Sequence, residues 1–400
     1  MSINKLILLF SLILIIKSKE ETSLHLKATR DYKSIIESYG YKFEEFQVRT
    51  EDKYINNLWK ITSKKKSKQF LSSNKAIILQ HGLLDNGWTW FALQENSLAY
   101  KLADKGYDVW VSHCRGTLFG TGHVDSITKN YLNPFSSYWD FSFDDFARYD
   151  LPAVINFAKL NSKVDKLDYI GHSQGTLIFF LQYMINPTFM ENSINKFIGV
   201  GTVPNVNNAE SYITNWVANN DAILNYYPLG NFMRIGTTLG VLFSEICDKV
   251  PDICGFIVSK IVENDISTKR MKFDKIAKDL FLYEPGGTSI KNMRHWIQIF
   301  KNKKLRRYDY GKEENLKRYG SVEPPEYEIS AVKKWNIKSM VTISNADPFC
   351  NPKDTLEFVN RIENKDIVKV LNMENYNHLD YLWAEDAVVD LYPKIFEFLQ

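Results

Sequence analysis

Residues 171–175 have types and spacing that fit a nucleophilic serine. They read G-H-S-Q-G, so Ser173 stands between two glycines. A short strand is predicted at 166–170 and an apolar helix at 176–185. A serine on so tight a strand-to-helix turn exposes its hydroxyl, and the glycines remove side chains that would collide at the crossing. The motif therefore favours covalent catalysis by Ser173 over an ordinary glycine-rich turn.

A serine hydroxyl needs a base, and the base needs an orienting carboxylate. The motif resembles the nucleophile elbow of α/β-hydrolases, whose chain order is Ser, then Asp or Glu, then His. Of the seven histidines, only His378 lies after a late predicted strand. Asp347 directly follows the preceding strand, where the acid belongs. Its rival Asp354 falls within the next predicted helix, where a capping or surface role is expected. The predicted triad is Ser173, His378 and Asp347.

The loop after an early buried strand, predicted at 76–80, fits an oxyanion hole. It begins His81-Gly82-Leu83. In α/β-hydrolases a His-Gly pair at this point brings a backbone N–H to the developing oxyanion. We expect the N–H groups of Leu83 and Gln174 to form the hole, and Gly82 to let the backbone approach closely. Because only the backbone is needed here, we interpret the His81 side chain as bracing the loop.

Predicted strands and helices alternate over most of the chain. A helix at 31–39 and a hairpin of strands at 44–49 and 54–62 come first. Further strands are predicted at 76–80, 108–111, 166–170, 197–201, 339–343 and 367–371, and helices at 141–161, 176–185, 352–362 and 387–399. This alternation predicts an α/β fold with a mostly parallel central sheet and helices on both faces. Pro152 must start or kink the helix pattern at 141–161.

The alternation stops between residues 202 and 330, where the sequence is aromatic-rich and mostly helical or irregular. Such an insertion predicts a largely helical cap or lid over the active site, and its aromatic content suits a long apolar substrate. We therefore divide the chain into a signal peptide at 1–19, the hydrolase core at 20–201 and 331–400, and the cap at 202–330.

The N-terminus and the cysteines indicate an oxidising destination. Lys5 precedes eleven apolar residues at 6–16, a length typical of a signal peptide and short of a membrane span. We expect a secreted or lysosome-like protein, with an uncleaved anchor as the alternative. Cys247 and Cys254 either close a small loop as a disulfide or remain two reduced thiols. Cys114 and Cys350 both lie near motif loops, and the sequence does not show whether they meet.

Beyond the elbow, nearly all of the mature chain resembles the acid lipase family of α/β-hydrolases, the gastric and lysosomal lipases. The resemblance is carried by LQHGLL at 79–84, GYDVW at 106–110, WDFSFD at 139–144, YDLPA at 149–153, YIGHSQGT at 169–176, GTS at 287–289 with HW at 295–296, and NHLD at 377–380. It implies Ser173 as nucleophile, Asp347 as acid, His378 as base, and the N–H groups of Leu83 and Gln174 as the oxyanion hole. It also implies hydrolysis of neutral lipid esters, triacylglycerol or sterol ester, under a movable lid.

The chain departs from the family pattern at several places. The family often has Gly-Gly two residues before the acid, whereas this chain reads Ser344-Asn345-Ala346 before Asp347. Cys114 replaces the usual serine before Arg-Gly. The family's cap disulfide is plausible for the pair at 247 and 254, although the spacing differs. Residues 202–266 match poorly, so substrate choice does not transfer with the resemblance.

Other functions use the same residues. An esterase or acyltransferase for smaller soluble esters needs an identical triad, and a catalytically silent hydrolase fold used for binding is disfavoured by the complete set. The net charge of +3 and the lack of a P-loop, an H-E-x-x-H site or a zinc ribbon give no sign of nucleic-acid, cofactor or metal binding. We expect a neutral lipid ester at a lipid–water interface as the partner, transient contact with the lipid surface, and no obligate protein partner.

Overall fold

The computed structural model describes residues 31–64, 75–209, 211, 215, 219, 230–234, 237–263 and 270–400. The predicted signal peptide and part of the predicted cap lie outside these residues. Among the helices of the described ranges, none is both long enough and apolar enough to cross a bilayer.

Nine strands of the described residues form one central sheet. They are β1 (Tyr41–Arg49), β2 (Tyr54–Ser63), β3 (Lys75–Gln80), β4 (Tyr107–Ser112), β5 (Gly122–His123), β6 (Leu167–His172), β7 (Ile194–Val200), β10 (Lys338–Ile343) and β11 (Val368–Asn372), while β8 (Asn231–Phe232) and β9 (Thr288–Ser289) form a separate antiparallel pair. The order is β1-β2-β4-β3-β6-β7-β10-β11, with β5 beside β2. Pairs from β4 onward in that order are parallel, and β2 is antiparallel to β1 and β4. The predicted opening hairpin and mostly parallel sheet are confirmed.

Helices of seven or more residues lie around this sheet. They are α1 (Asp31–Ser38), α2 (Leu98–Asp104), α3 (Leu151–Ser162), α4 (Gln174–Ile185), α5 (Pro187–Ser193), α6 (Thr237–Lys249), α7 (Pro251–Ile261), α8 (Phe273–Tyr283), α9 (Ile290–Asn302), α10 (Lys312–Tyr319), α11 (Pro352–Asn360) and α12 (Tyr392–Leu399). Helices α6 to α10 belong to the stretch between β7 and β10, to which the described residues contribute no strand of the central sheet.

The central strands are covered on both faces. In β3, Ile77 and Leu79 pack into one apolar cluster, and Ala76 and Ile78 pack into the cluster on the other face. Successive side chains of a strand point to opposite faces, so a strand buried on both faces has an unbroken apolar run instead of an alternating one. This burial fixes the position of the strand ends from which the site loops leave.

The helix predicted at 141–161 is divided into three pieces. A short turn, Phe143–Asp145, is followed by a π-helical turn, Phe146–Asp150, and then by α3. Pro152 lies in the first turn of α3, where its missing N–H costs nothing, whereas the wider turn before it accommodates the ring. The helix predicted at 387–399 is likewise divided, into Ala387–Asp390 and α12, which has a proline in its first turn. The helical pattern predicted at 141–161 is thus confirmed over residues 143–162, with Pro152 at the start of α3 as expected, whereas the helix predicted at 387–399 was wrong in continuity.

A buried arginine connects the β1–β2 turn to the start of α3. The guanidinium of Arg115 donates to Asp150 Oδ1 from Nε at 2.9 Å and to Asp52 Oδ1 from Nη2 at 2.8 Å. It lies 3.8 Å from the centroid of the Tyr54 ring. The Arg115 side chain is 1 % exposed, so each carboxylate depends on this cation for its charge compensation.

Replacing Arg115 by methionine should lower the free energy of unfolding by about 3–5 kcal/mol, because it leaves the buried carboxylate of Asp150 and the partly exposed one of Asp52 without a cation. Urea unfolding followed by tryptophan fluorescence measures the change. Arg318→Met is the matched control, since Arg318 pairs with Glu314 on the surface and such pairs contribute about 0–1 kcal/mol. Equal unfolding midpoints for the two variants would contradict the prediction.

Candidate active site

The site lies where the winding direction of the sheet reverses. Strand β4 follows β3 on one side, whereas β6 lies on the other side of β3. In open α/β sheets the crevice beyond the carboxyl ends of the strands at such a reversal is where ligands bind. The loop after β3 and the turn after β6 meet in this crevice, and these are the two segments that the sequence assigns to the oxyanion hole and the nucleophile.

Ser173 occupies a strained turn between β6 and α4. Its φ of 53° and ψ of −121° are rarely adopted by a residue with a side chain, and such strain is typical of functional positions. A Cβ on Gly171 would lie 2.8 Å from the carbonyl carbon of Gly175, and one on Gly175 would lie 2.6 Å from the carbonyl oxygen of Gln80. Both glycines are therefore required for β6, α4 and the end of β3 to approach this closely.

The three predicted triad residues form one chain of hydrogen bonds. Ser173 Oγ lies 2.8 Å from His378 Nε2, and His378 Nδ1 lies 2.9 Å from Asp347 Oδ2. Asp347 Oδ1 also accepts the backbone N–H groups of residues 349 and 350, which keep it an acceptor toward the imidazole. The rival Asp354 lies elsewhere, because its carboxylate accepts the backbone and side-chain N–H groups of Asn208.

His172, the residue before the serine, holds the backbone of the histidine loop. Its Nε2 lies 2.9 Å from the carbonyl oxygen of His378, so the ring donates this hydrogen bond. Burial is the main reason that the pKa of His172 falls to about 3, and the ring is therefore neutral in the working protein. Sequence reasoning missed this contact, because the second position of G-x-S-x-G carries no requirement of its own.

The predicted oxyanion loop lies directly against the nucleophile. A Cβ on Gly82 would be 3.0 Å from Ser173 Cβ. Among the hydrogen bonds between described residues, none is donated by the N–H of Leu83 or Gln174, and the N–H of Gln174 begins helix α4, where no intrahelical acceptor exists. The two predicted donors are thus available to a ligand beside Ser173.

The bracing role predicted for His81 is confirmed. Its Nδ1 donates to the carbonyl oxygen of Gly82 at 2.8 Å, and its Nε2 accepts the N–H of Cys114 at 3.0 Å. This pattern requires one protonated and one free ring nitrogen, so the imidazole is neutral. Burial lowers the pKa of His81 to about 4, in agreement with that assignment.

Replacing Gly82 by alanine should lower kcat by about 10²-fold with little change in KM, because the new methyl group displaces the loop that carries one oxyanion donor. Steady-state kinetics on a soluble ester measure the changes in kcat and KM separately. Gly255→Ala is the control, since its Cβ would meet only a Phe273 side-chain carbon at a similar 3.1 Å away from Ser173. An unchanged kcat for Gly82→Ala would show that the loop does not supply a donor.

Comparisons with known proteins agree with this geometry. A profile for a partial α/β-hydrolase lipase region matches residues 32–94, and one for the α/β hydrolase fold matches residues 75–228. Gastric triacylglycerol lipase of Rattus norvegicus is 31% identical over 379 residues, covering 92% of this chain and 91% of the relative. Lipase member K of Homo sapiens is 30% identical over 390 residues, covering 94% and 92%. The chain belongs to the acid lipase family of α/β-hydrolases.

The solved structures support the same fold. A Bacillus subtilis protein described as a presumed hydrolase has a TM-score of 0.50 at 10% identity, covering 95% of this chain and all of that one. At this identity the likeness shows the α/β-hydrolase fold alone. The fold class and the family resemblance predicted from the sequence are both confirmed.

In this acid lipase chain, helix α9 forms two hydrogen bonds to the residue that follows the nucleophile. Asn292 Nδ2 and Trp296 Nε1 both donate to the side-chain oxygen of Gln174, at 2.9 Å and 2.7 Å. His295 stacks on Phe143 with ring centroids 3.8 Å apart. The GTS and HW stretches that the sequence associates with the family therefore position the nucleophile turn, a role that the motif alone did not reveal.

Ser173 and His378 lie in the wall of a cavity of about 360 Å³. Most of the wall is apolar and comes from the segment between β7 and β10, including Phe243, Ile257, Phe281, Met293, Ile297 and Phe300. Burying an alkyl chain in such a cavity is favoured by about 0.8 kcal/mol per methylene group. A larger groove of about 800 Å³ beside Trp335 contains none of the predicted site residues.

The four cysteines of this family member have two different states. Cys247 and Cys254 form a disulfide with Cα atoms 5.7 Å apart, which joins α6 to α7. Cys114 and Cys350 are free and buried, so they do not pair. Cys350 Sγ lies 3.3 Å from Nδ1 of His378. The possible metal-ligand atoms of Asp347, Cys350 and His378 all lie within 4.8 Å of one another. An ion bound there would break the hydrogen bond between Asp347 and His378.

Proposed function

We propose that this chain is a serine carboxylic ester hydrolase that cleaves neutral lipid esters, triacylglycerol or sterol ester, through a Ser–His–Asp triad and an acyl-enzyme. The observation that carries the proposal is the chain of hydrogen bonds, 2.8 Å from Ser173 to His378 and 2.9 Å from His378 to Asp347, which opens onto an apolar cavity. The relatives named as gastric triacylglycerol lipases support the substrate class.

In the first half-reaction His378 Nε2 takes the proton of Ser173 as the hydroxyl oxygen attacks the ester carbonyl. Asp347 holds the imidazole in the required tautomer and stabilises the imidazolium. The tetrahedral oxyanion accepts hydrogen bonds from the N–H groups of Leu83 and Gln174, and the N-terminus of α4 adds a favourable dipole. Each oxyanion donor contributes about 3 kcal/mol in comparable enzymes.

The first half-reaction ends when His378 protonates the leaving alcohol, which departs and leaves the acyl group on Ser173, and the second half-reaction follows. A water molecule then gives its proton to the same Nε2 while it attacks the acyl carbonyl. Collapse of the second tetrahedral intermediate releases the carboxylic acid and restores the serine. The cavity wall binds the acyl chain through both steps.

The α6–α7 hairpin supports action at a lipid surface. Six of its large apolar side chains are exposed to solvent, and the last of them also borders the cavity: Leu242, Ile246, Val250, Ile253, Phe256 and Ile261. Contiguous exposed apolar residues on a soluble domain mark interaction surfaces. We propose that residues 202–330 act as a cap whose α6–α7 hairpin contacts the lipid–water interface transiently.

We also propose that the protein is secreted or enters a lysosome-like compartment. The apolar run at 6–16 supports entry into the secretory pathway, and the disulfide between α6 and α7 is typical of proteins that work in an oxidising compartment.

The test is hydrolysis of an emulsified long-chain triacylglycerol compared with a short-chain ester, the latter assayed below and above its solubility limit. A lipase should show a steep rise in rate once an interface forms. Equal specific rates below and above the limit would favour an esterase for soluble substrates, and acyl transfer to an added alcohol would favour a transferase. A chain that does not react with a serine-directed phosphonate would be a binding protein instead.

A further inference from the structure

Two carboxyl groups lie side by side in the otherwise apolar wall of the cavity. Asp85 comes from the loop after β3, and Glu284 comes from the segment between α8 and β9. Asp85 is 8% exposed and Glu284 is 3% exposed, and their carboxyl groups meet at one donor, because Asp85 Oδ1 and Glu284 Oε1 both accept the N–H of Asn86, at 2.8 Å and 3.3 Å. Two carboxyl groups form a hydrogen bond to each other only when one of them carries a proton.

The carboxyl pair sits within a set of backbone contacts between the same two segments. The carbonyl oxygen of Leu84 accepts the N–H of Gly286 at 2.8 Å. The Glu284 carboxyl accepts the same Gly286 N–H at 2.8 Å through Oε2, and the N–H of Asn86 at 3.3 Å through Oε1. Leu84 has a φ of +62°, a conformation that a leucine keeps only when its surroundings hold it. Its neighbour Leu83 carries the proposed oxyanion donor, so these contacts fix the position of that N–H.

The groups around the pair supply no positive charge to neutralise two carboxylates. On the loop side, His113 Nδ1 accepts the N–H of Gly87 and His81 lies behind it, and burial lowers the pKa of both rings. On the side of α8, the carbonyl oxygen of Tyr283 accepts the Asn86 amide. From β8, the guanidinium of Arg234 lies over the Tyr131 ring. Among the described contacts, the pair is thus compensated by neutral donors such as the N–H of Asn86 and by a shared proton.

We propose that the protonated Asp85–Glu284 pair is a positioning device that holds the Leu83 N–H in the oxyanion hole, and that loss of the shared proton at higher pH releases the loop. The inference rests on the proposed ester hydrolysis at Ser173. Burial raises the pKa of Asp85 to about 6, and burial followed by the charge of Asp85 raises the pKa of Glu284 well above its usual range. The two groups titrate as one coupled unit.

The number of protons on the Asp85–Glu284 pair determines whether activity rises or falls with pH. At mildly acidic pH the pair holds at least one proton and the two segments stay joined. As the pH rises through the upper titration of the pair, two buried negative charges face each other and the segments separate. The activity then falls by about tenfold per pH unit, toward the 10²–10³-fold loss expected for a missing oxyanion donor.

Asp85→Asn tests the proposal through the pH dependence of kcat on a soluble short-chain ester. The new amide Nδ2 donates to ionised Glu284, and its oxygen still accepts the N–H of Asn86, so the junction no longer needs a proton. We expect the alkaline fall of the wild-type profile, about tenfold in kcat per pH unit, to disappear in Asp85→Asn. Asp168→Asn is the control, because burial also raises the pKa of Asp168 but that carboxyl binds Tyr107 and Asn195. Superimposable profiles for wild type and Asp85→Asn would overturn the proposal.

A second measurement needs no hydrolysis. The native pair binds a proton that the unfolded chain has released, so the thermal stability of the wild type should fall as pH rises from about 4 through 6 and beyond, and Asp85→Asn should lose this slope. If Asp85→Asn does not fold, Glu284→Gln is measured in the same way. A wild type that shows the slope but does not react with a phosphonate would refute the proposed function and leave the proton-sharing pair in place. An active wild type with the same slope as its variant would refute the pair and leave the function.

Discussion

Replacing Ser173 by alanine should lower kcat by about six orders of magnitude and leave KM and the fold nearly unchanged. The alanine keeps the strained turn and the cavity but removes the only atom that attacks the substrate. The change is measured as the rate of acid release from a triacylglycerol emulsion and as the loss of phosphonate labelling. The residual rate should still exceed that of water, because the oxyanion donors and the cavity remain.

Ser193→Ala is the matched control for this experiment. Ser193 is also buried, at 2% exposure against 8% for Ser173, but it ends helix α5 and contacts Lys159 instead of the triad. Its rate should stay within about twofold of the wild type, in line with the small effects of substitutions far from a site. Retention of most activity in Ser173→Ala would end the proposal of a serine hydrolase.

Asp347→Asn should lower kcat by about 10⁴-fold, the second-largest effect that we expect. The asparagine amide favours the wrong imidazole tautomer of His378, with Nε2 protonated and unable to accept the serine proton. KM should stay the same, because Asp347 lies behind the histidine and does not line the cavity. Pre-steady-state acylation with a chromogenic ester separates this loss from any change in binding.

The sequence offered Asp354 as a rival, and Asp354→Asn is therefore the control. Its carboxylate accepts from Asn208 Nδ2 at 2.6 Å and is near neither His378 nor Ser173. The variant should lose some stability, because this buried hydrogen bond is weakened, but kcat should remain within about tenfold of the wild type. A larger loss of kcat in Asp354→Asn than in Asp347→Asn would reverse the assignment of the acid.

The sheet and the triad were predictable because local signals determine them. The buried run of β3 and the glycines around Ser173 report backbone requirements that few other residue types satisfy. His378 and Asp347 followed from chain order and from their places at strand ends. The observed hydrogen bonds place these three side chains together as predicted, while their catalytic roles stay predictions that the variants above test.

Contacts between distant segments could not be predicted in the same way. The hydrogen bond from His172 to the backbone of His378 and the pairing of Asp85 with Glu284 join parts of the chain with no shared pattern. The π-helical turn before Pro152 was not predicted, because such a turn depends on how the flanking residues pack and not on composition. The cap helices carry ordinary apolar periodicity, which does not show whether an apolar face lines a cavity, packs on the core or meets a lipid.

The two hydrogen bonds from α9 to Gln174 have a consequence for protein engineering. Because Asn292 and Trp296 fix the side chain next to the nucleophile, a graft that replaces the entire cap would also exchange the scaffold of the reaction centre. The disulfide-joined hairpin of α6 and α7 has no such contact with the elbow among the described residues, yet it forms much of the cavity wall. We therefore expect that an exchange of this hairpin alone would alter chain-length preference and leave turnover largely unchanged.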